Sequence, residues 1–126
     1  MYLVVYNNCF GGFGLSEEAI IRYHEIKGKQ VFKVEENGDV YFFYEDPCGR
    51  DLDQMDSDKV EEFDDCAVDR HDPALVQVVQ ELLNKANGPF ANLTIRQIQG
   101  NEYRIECYDG QERVLEPKDV PWIVIE

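Results

Sequence analysis

Asp72-Pro73 and Asn87-Gly88-Pro89 set hard limits on one stretch of this chain. An aspartate is a good N-cap, and a proline suits the first helical position because its missing N–H would have no partner there. Asn-Gly-Pro then places three stop signals in a row. A helix is predicted over about residues 73–86. Within it Leu75, Val78, Val79, Leu82 and Ala86 recur at helical spacing, so one face is apolar and must lie on a core. Burial of each large side chain on that stripe contributes roughly 1.5–3 kcal/mol, and Leu82→Ala is expected to destabilise the fold.

The remaining elements follow from similar punctuation. Tyr2 to Tyr6 reads as a strand that runs into Asn7-Asn8 and the glycine-rich stretch Gly11-Gly12-Phe13-Gly14. Ser16 is a natural N-cap, Glu17 and Glu18 suit the positive end of a helix, and Gly28 suits its C-terminal cap, which predicts a helix over 17–27. Val31 to Glu35 and Val40 to Glu45 flank Asn37-Gly38, a hairpin turn. Val40, Phe42 and Tyr44 point one way and Tyr41 and Phe43 the other, so this strand is buried on both sides within the domain or has one face covered by a partner. Leu93 to Ile98, Tyr103 to Tyr108 and Gln111 to Leu115, joined at Gly100-Asn101 and Asp109-Gly110, read as a three-stranded meander. Trp122 to Ile125 forms an edge strand or an apolar plug. The expectation is one α+β domain spanning residues 1–126, with an antiparallel sheet of about six strands packed against two helices.

A chain of 126 residues can bury roughly two thirds of its unfolded surface in one core. Its charge is the unusual quantity: 26 acidic against 12 basic side chains, a net −14. Such a surface repels polyanions, so direct binding to nucleic acid is not expected. Twelve of the acids fall between Glu45 and Asp72, with only Arg50, Lys59 and Arg70 among them, an acidic excursion in which Val60 and Phe63 share one side of a short helical turn. Asp51, Asp53, Asp56, Asp58, Glu61, Glu62, Asp64 and Asp65 are its candidate protein-contact residues, suited to a partner with a basic surface. A calcium loop starting at Asp51 fails because Met55 and Asp56 stand where an oxygen ligand and a glycine are needed. No cofactor and no metal site is expected.

The four cysteines form no CxxC pair and follow no secretory leader, which points to reduced thiols and a cytosolic setting. The longest apolar run, Val40 to Tyr44, is far short of the roughly 20 residues needed to cross a bilayer, so no membrane insertion is expected. Asn8, Cys9, Gly11, Gly12 and Gly14 are candidate ligand-binding residues, since a Gly-rich turn before a helix can present N–H groups to a phosphate. Glu17 and Glu18 oppose an anion there, and the spacing is neither a P-loop nor GxGxxG. Cys9 is a nucleophile only if His24 or His71 serves as its base, and nothing in the sequence brings them together. No catalytic constellation is recognised.

Asn7 to Ser16, Arg70-His71-Asp72-Pro73 with Leu75-Val76, Ala86-Asn87-Gly88 with Ala91 and Leu93, and Tyr108-Asp109-Gly110 with Glu112 together cover about half the chain. In these stretches the chain resembles an uncharacterised family of small proteins from giant DNA viruses, tailed phages and some bacteria. The family usually has a glycine where this chain has Leu83, and usually a basic tail where this chain has Pro121 to Glu126. The resemblance implies a small α/β fold and a viral setting, and it carries no assigned activity. The expectation is a non-enzymatic viral or phage accessory protein that binds a host or viral protein through its acidic surface, in host cytoplasm if viral. The alternative is a protein that holds a small, nucleotide-like ligand on the glycine loop.

Overall fold

The computed structural model of the chain describes residues 2–46, 61–119 and 125. Strand β1 (Tyr2–Asn7) leads through the glycine loop to helix α1 (Glu17–Lys27), followed by the hairpin β2 (Phe32–Glu36) and β3 (Asp39–Phe43). A 3-10 turn at Asp65–Ala67 precedes helix α2 (Pro73–Leu82), which continues as a 3-10 turn over Leu83–Ala86. Then come β4 (Leu93–Ile98), β5 (Arg104–Tyr108) and β6 (Gln111–Leu115), with a last 3-10 turn at Pro117–Asp119. Among the described residues, no helix is long and apolar enough to cross a membrane.

Both helices start and stop where their caps dictate. The Ser16 hydroxyl accepts from the Ala19 N–H and the Asp72 carboxylate from the Ala74 N–H, while Gly28 closes α1 in the left-handed conformation at φ 69°. Helix α2 ends earlier than the sequence predicts, because Leu83 turns to φ 53°, ψ −124°, a region L-residues avoid. Residues 83–86 nevertheless remain helical in the tighter form.

Valines on opposite faces of β1 explain the layering. Val5 packs on the helices with Leu75, Val78 and Ala19, whereas Val4 faces away and meets Ile98 and Val114. Both valines are wholly buried. The α+β class stands, with six antiparallel strands, but they pair as β1–β4, β2–β3 and β5–β6. The meander reading of the last three strands is therefore corrected: β4 pairs with β1, Asn7 opposite Leu93. The β5–β6 hairpin folds over the face that Val4 and Ile98 present, where Val114 and Ile105 cover it. Covering that face takes the apolar side chains of Val4 and Ile98 out of water.

Strand β3 is buried on both sides within the chain. Phe42 joins the main core and Phe43 a smaller cluster with Val34. The acidic segment returns along its edge, with the Tyr44 N–H donating to Glu61 and the Phe63 N–H to Phe42. Phe63 therefore lies in an extended segment and not on a helical turn, because backbone partners on β3 are at hand there. Val60 lies outside the described residues, as does the segment Trp122 to Val124.

Candidate functional site

The glycine loop is spent largely on contacts within the protein. A Cβ at Gly11 would overlap the Phe90 carbonyl, one at Gly110 would lie 2.5 Å from the Phe10 carbonyl oxygen, and one at Gly88 2.9 Å from Gly14. Three loops thus meet backbone against backbone. Three N–H groups flanking the glycines are engaged as well: Asn8 donates to Asn92, Ser16 to Ala86, and Leu15 to the Asp65 carboxylate at 3.0 Å, while the space beside Gly12 is open. An acid of the chain itself thus occupies the anion position in front of α1. Cys9 is half-buried, and its thiol lies 3.3 Å from the Asn7 amide oxygen and 3.1 Å from the Phe90 carbonyl, either of which can accept its one proton, with no histidine among those partners.

Behind that loop lies a buried polar core. The wholly buried Asn7 gives its backbone N–H to Glu112 at 2.8 Å and its side-chain amide N–H groups to Cys9 and Gly110, and accepts from the Asn92 N–H. Glu112 in turn takes both arms of Arg70, whose guanidinium stacks 3.6 Å from the Phe13 ring centroid. Among the described residues no buried side-chain N or O lacks a partner. A closed network of this kind supports the loops that meet at it.

Of the two histidines, His24 is buried with a partner at each ring nitrogen, and His71 is exposed with one recorded partner. His24 is buried, with its Nδ1 2.7 Å from the Ile20 carbonyl and its Nε2 2.9 Å from the Tyr44 hydroxyl. Burial pushes its pKa down, Lys29 and Lys27 add to that, and only the Ile20 hydrogen bond works the other way. The ring is neutral, donating from Nδ1 and accepting from Tyr44 at Nε2. His71 pairs with the Tyr103 hydroxyl at 2.6 Å.

Two concavities meet at the acidic segment; a third, about 460 Å³, lies apart from them between Tyr6, Asn8, Tyr108 and Arg113. The larger, about 820 Å³, lies between the start of α1, the β2–β3 hairpin and residues 62–65; Leu15, Ile20, Val40, Phe42 and Phe63 supply its apolar lining. Glu17, Asp39, Glu62, Asp64 and Asp65 ring it, and among the described residues no lysine or arginine does. The smaller, about 320 Å³, has the rings of Tyr23, Tyr44 and Phe63 on its wall and Glu61, Glu62, Asp64, Asp69 and Asp72 around them, with Lys27 as the one cation. Glu62, Phe63 and Asp64 line both.

Of the predicted contact residues, Glu61, Glu62, Asp64 and Asp65 lie on these two concavities. Asp65 is the exception in role, since it bonds Leu15 and also anchors the loop. Asp51, Asp53, Asp56 and Asp58 lie outside the described residues. Asp64, Asp65 and Cys66 bring possible ligand atoms within 4.8 Å of one another, but Asp64 already accepts from the Cys66 N–H. Burial, then Asp65 and Asp64, push the Cys66 thiol up, so it stays protonated. Sequence reasoning missed Glu17, Tyr23, Asp39 and Asp69 as parts of this face. An aromatic flanked by acids, as Phe63 is in Glu61-Glu62-Phe63-Asp64-Asp65, is the signal that was available.

Compared with known proteins, the chain matches no family model, no curated protein and no solved structure.

Proposed function

We propose that this is a non-enzymatic accessory protein, of viral or phage setting, that binds a basic protein partner through the face centred on Glu62, Phe63 and Asp64. The observation that carries this reading is the charge around the two concavities. Eight carboxylates, those of residues 17, 39, 61, 62, 64, 65, 69 and 72, line the two concavities, while the described cations nearby are three: Lys27 on Asp72, Lys33 on Glu17, and Lys29 over the Tyr44 ring. Apolar floors beneath a charged rim let a partner combine electrostatic steering with burial of side chains. The resemblance to viral and phage proteins supports the setting.

The test is capture from host lysate at low and at high salt, with the catch cross-linked to the protein and mapped. The companion variant is Glu61→Gln/Glu62→Gln/Asp69→Asn, three exposed acids. A catch that the variant loses, that high salt releases and that cross-links at residues 61–69 is the expected result. A catch indifferent to salt and to the variant, or an empty one at low salt, overturns the reading.

A further inference from the structure

The smaller concavity is built differently from the larger. Its wall is three aromatic rings, Tyr23, Tyr44 and Phe63, with Tyr23 and Phe63 centroids 5.9 Å apart and Tyr44 and Phe63 centroids 6.4 Å apart. The chain's own cations already use these rings: Lys27 Nζ stands 5.3 Å from the Tyr23 centroid, and Lys29 Nζ 5.7 Å from that of Tyr44. Lys27 also bonds Asp72 at 2.8 Å, and the Tyr23 hydroxyl donates to the same carboxylate oxygen. Glu61 and Asp69, on the rim, carry no ion pair among the described residues.

Aromatic faces beside uncommitted carboxylates are the environment a cationic side chain prefers, because the ring quadrupole and the carboxylates attract it together. A guanidinium fits better than an ammonium: it is flat, is more weakly hydrated, stacks on rings and bonds a carboxylate with two parallel N–H groups. We propose that the cavity walled by Tyr23, Tyr44 and Phe63 is a socket for one arginine side chain of a basic protein partner, in competition with Lys27. The inference rests on the acidic-face reading and narrows it to one pocket and one residue type.

The partner's arginine lays its guanidinium against Phe63 and Tyr44 and turns its edge to Glu61 and Asp69. Lys27 is the internal competitor in the cavity lining, held over the adjoining Tyr23 ring by Asp72, and Lys29 stands over Tyr44. Removing its charge frees ring and carboxylate for the incoming cation.

The experiment titrates the full chain with N-acetyl-arginine amide, and separately with its neutral citrulline isostere, while following side-chain resonances by NMR. Expected are saturable shifts at Tyr23, Tyr44 and Phe63 with the arginine compound only. They should be lost in Phe63→Leu and weakened in Asp69→Asn, which leaves the rings in place. Lys27→Met should tighten binding about twofold to fivefold, the equivalent of one exposed cation–π contact. Lys118→Met, which removes a charge outside the cavity lining, should leave it unchanged.

Equal shifts with citrulline overturn the socket, as does a Lys27→Met affinity no different from that of Lys118→Met. A hexa-arginine peptide separates the two readings. If it binds but moves only Asp39, Val40 and Phe42 in the larger groove, the socket is wrong and the acidic-face reading survives. If it moves no resonance on either concavity, both fall.

Discussion

Arg70 closes onto Glu112 with both arms of its guanidinium, and the two residues together finish the free edge of β1. The Arg70 carbonyl accepts from the Val5 N–H at 2.8 Å, and the Glu112 carboxylate accepts from the Asn7 N–H at 2.8 Å. An edge strand would otherwise carry unpaired N–H groups into the interior, at a cost comparable to lost hydrogen bonds. A side chain from β6 and a backbone carbonyl from the segment before α2 thus replace a neighbouring strand.

Glu112→Ala leaves a guanidinium with little access to water and the Asn7 N–H without an acceptor. Removing one member of such a pair costs about 3–5 kcal/mol, which chemical denaturation will read as a lowered midpoint. The double variant Arg70→Met/Glu112→Leu should recover part of the loss, since no charge is then stranded. A double variant less stable than Glu112→Ala would show that the pair stabilises by more than mutual neutralisation.

His24 makes stability depend on pH in a defined window. In the unfolded chain the imidazole titrates near its usual 6.5, and burial holds it lower in the fold. Between those values the unfolded chain takes up a proton that the folded one does not, so stability falls as pH drops below about 6.5 and levels off past the folded value. Urea midpoints measured from about pH 7 down to about pH 5.5 should decline for the parent protein and stay flat for His24→Gln. Parallel profiles for the two proteins would contradict the argument.

Leu83→Gly is expected to stabilise. The residue sits at φ 53° and ψ −124° and is 69% exposed, so its side chain contributes little burial while its backbone is strained. Relief of roughly 1–3 kcal/mol of strain outweighs the extra freedom glycine gains in the unfolded chain, about 0.4–1 kcal/mol. A net gain of about 1 kcal/mol should raise Tm by roughly 3–5 °C in a thermal melt. A lowered Tm would mean that Leu83 makes a contact worth more than the strain.

Gly11 and Gly14 should respond differently to alanine. A Cβ at Gly11 would overlap the Phe90 carbonyl, whereas at Gly14 the nearest atom, an Asp65 carboxylate oxygen, is 3.8 Å away. Gly11→Ala must push two loops apart and should destabilise by roughly 1–3 kcal/mol, with Gly14→Ala near neutral. Equal midpoints for the two variants would show that the loop junction gives way freely.

Helices, caps and tight turns were legible in the sequence because each depends on residues close together in the chain. Ser16, Gly28 and Asp72-Pro73 act within one turn, and Asn37-Gly38 and Asp109-Gly110 adopt the positive φ values that their two-residue hairpins need. Leu83 shows the limit even locally: helical spacing runs through it, yet the backbone breaks there.

The candidate site was half legible. The acids from Glu61 to Asp65 could be named as a charged surface from their number alone. Their grouping with Glu17 and Asp39, and the ring wall of Tyr23, Tyr44 and Phe63, depends on α1, β3 and the acidic segment meeting. Periodicity reports which side of an element is apolar, and says nothing of which other element will cover it.

The sequence by itself therefore determined the α+β class, both helices, the hairpin turns and a surface of strong negative charge, all consequences of local sterics and composition. Only the tertiary structure decided that β4 pairs with β1, that Asn7, Arg70 and Glu112 form one buried network, and that Asp65 fills the anion position before α1. Those outcomes join residues far apart in the chain. They are selected by which arrangement buries the most apolar surface while leaving no polar group without a partner, a property of the whole fold.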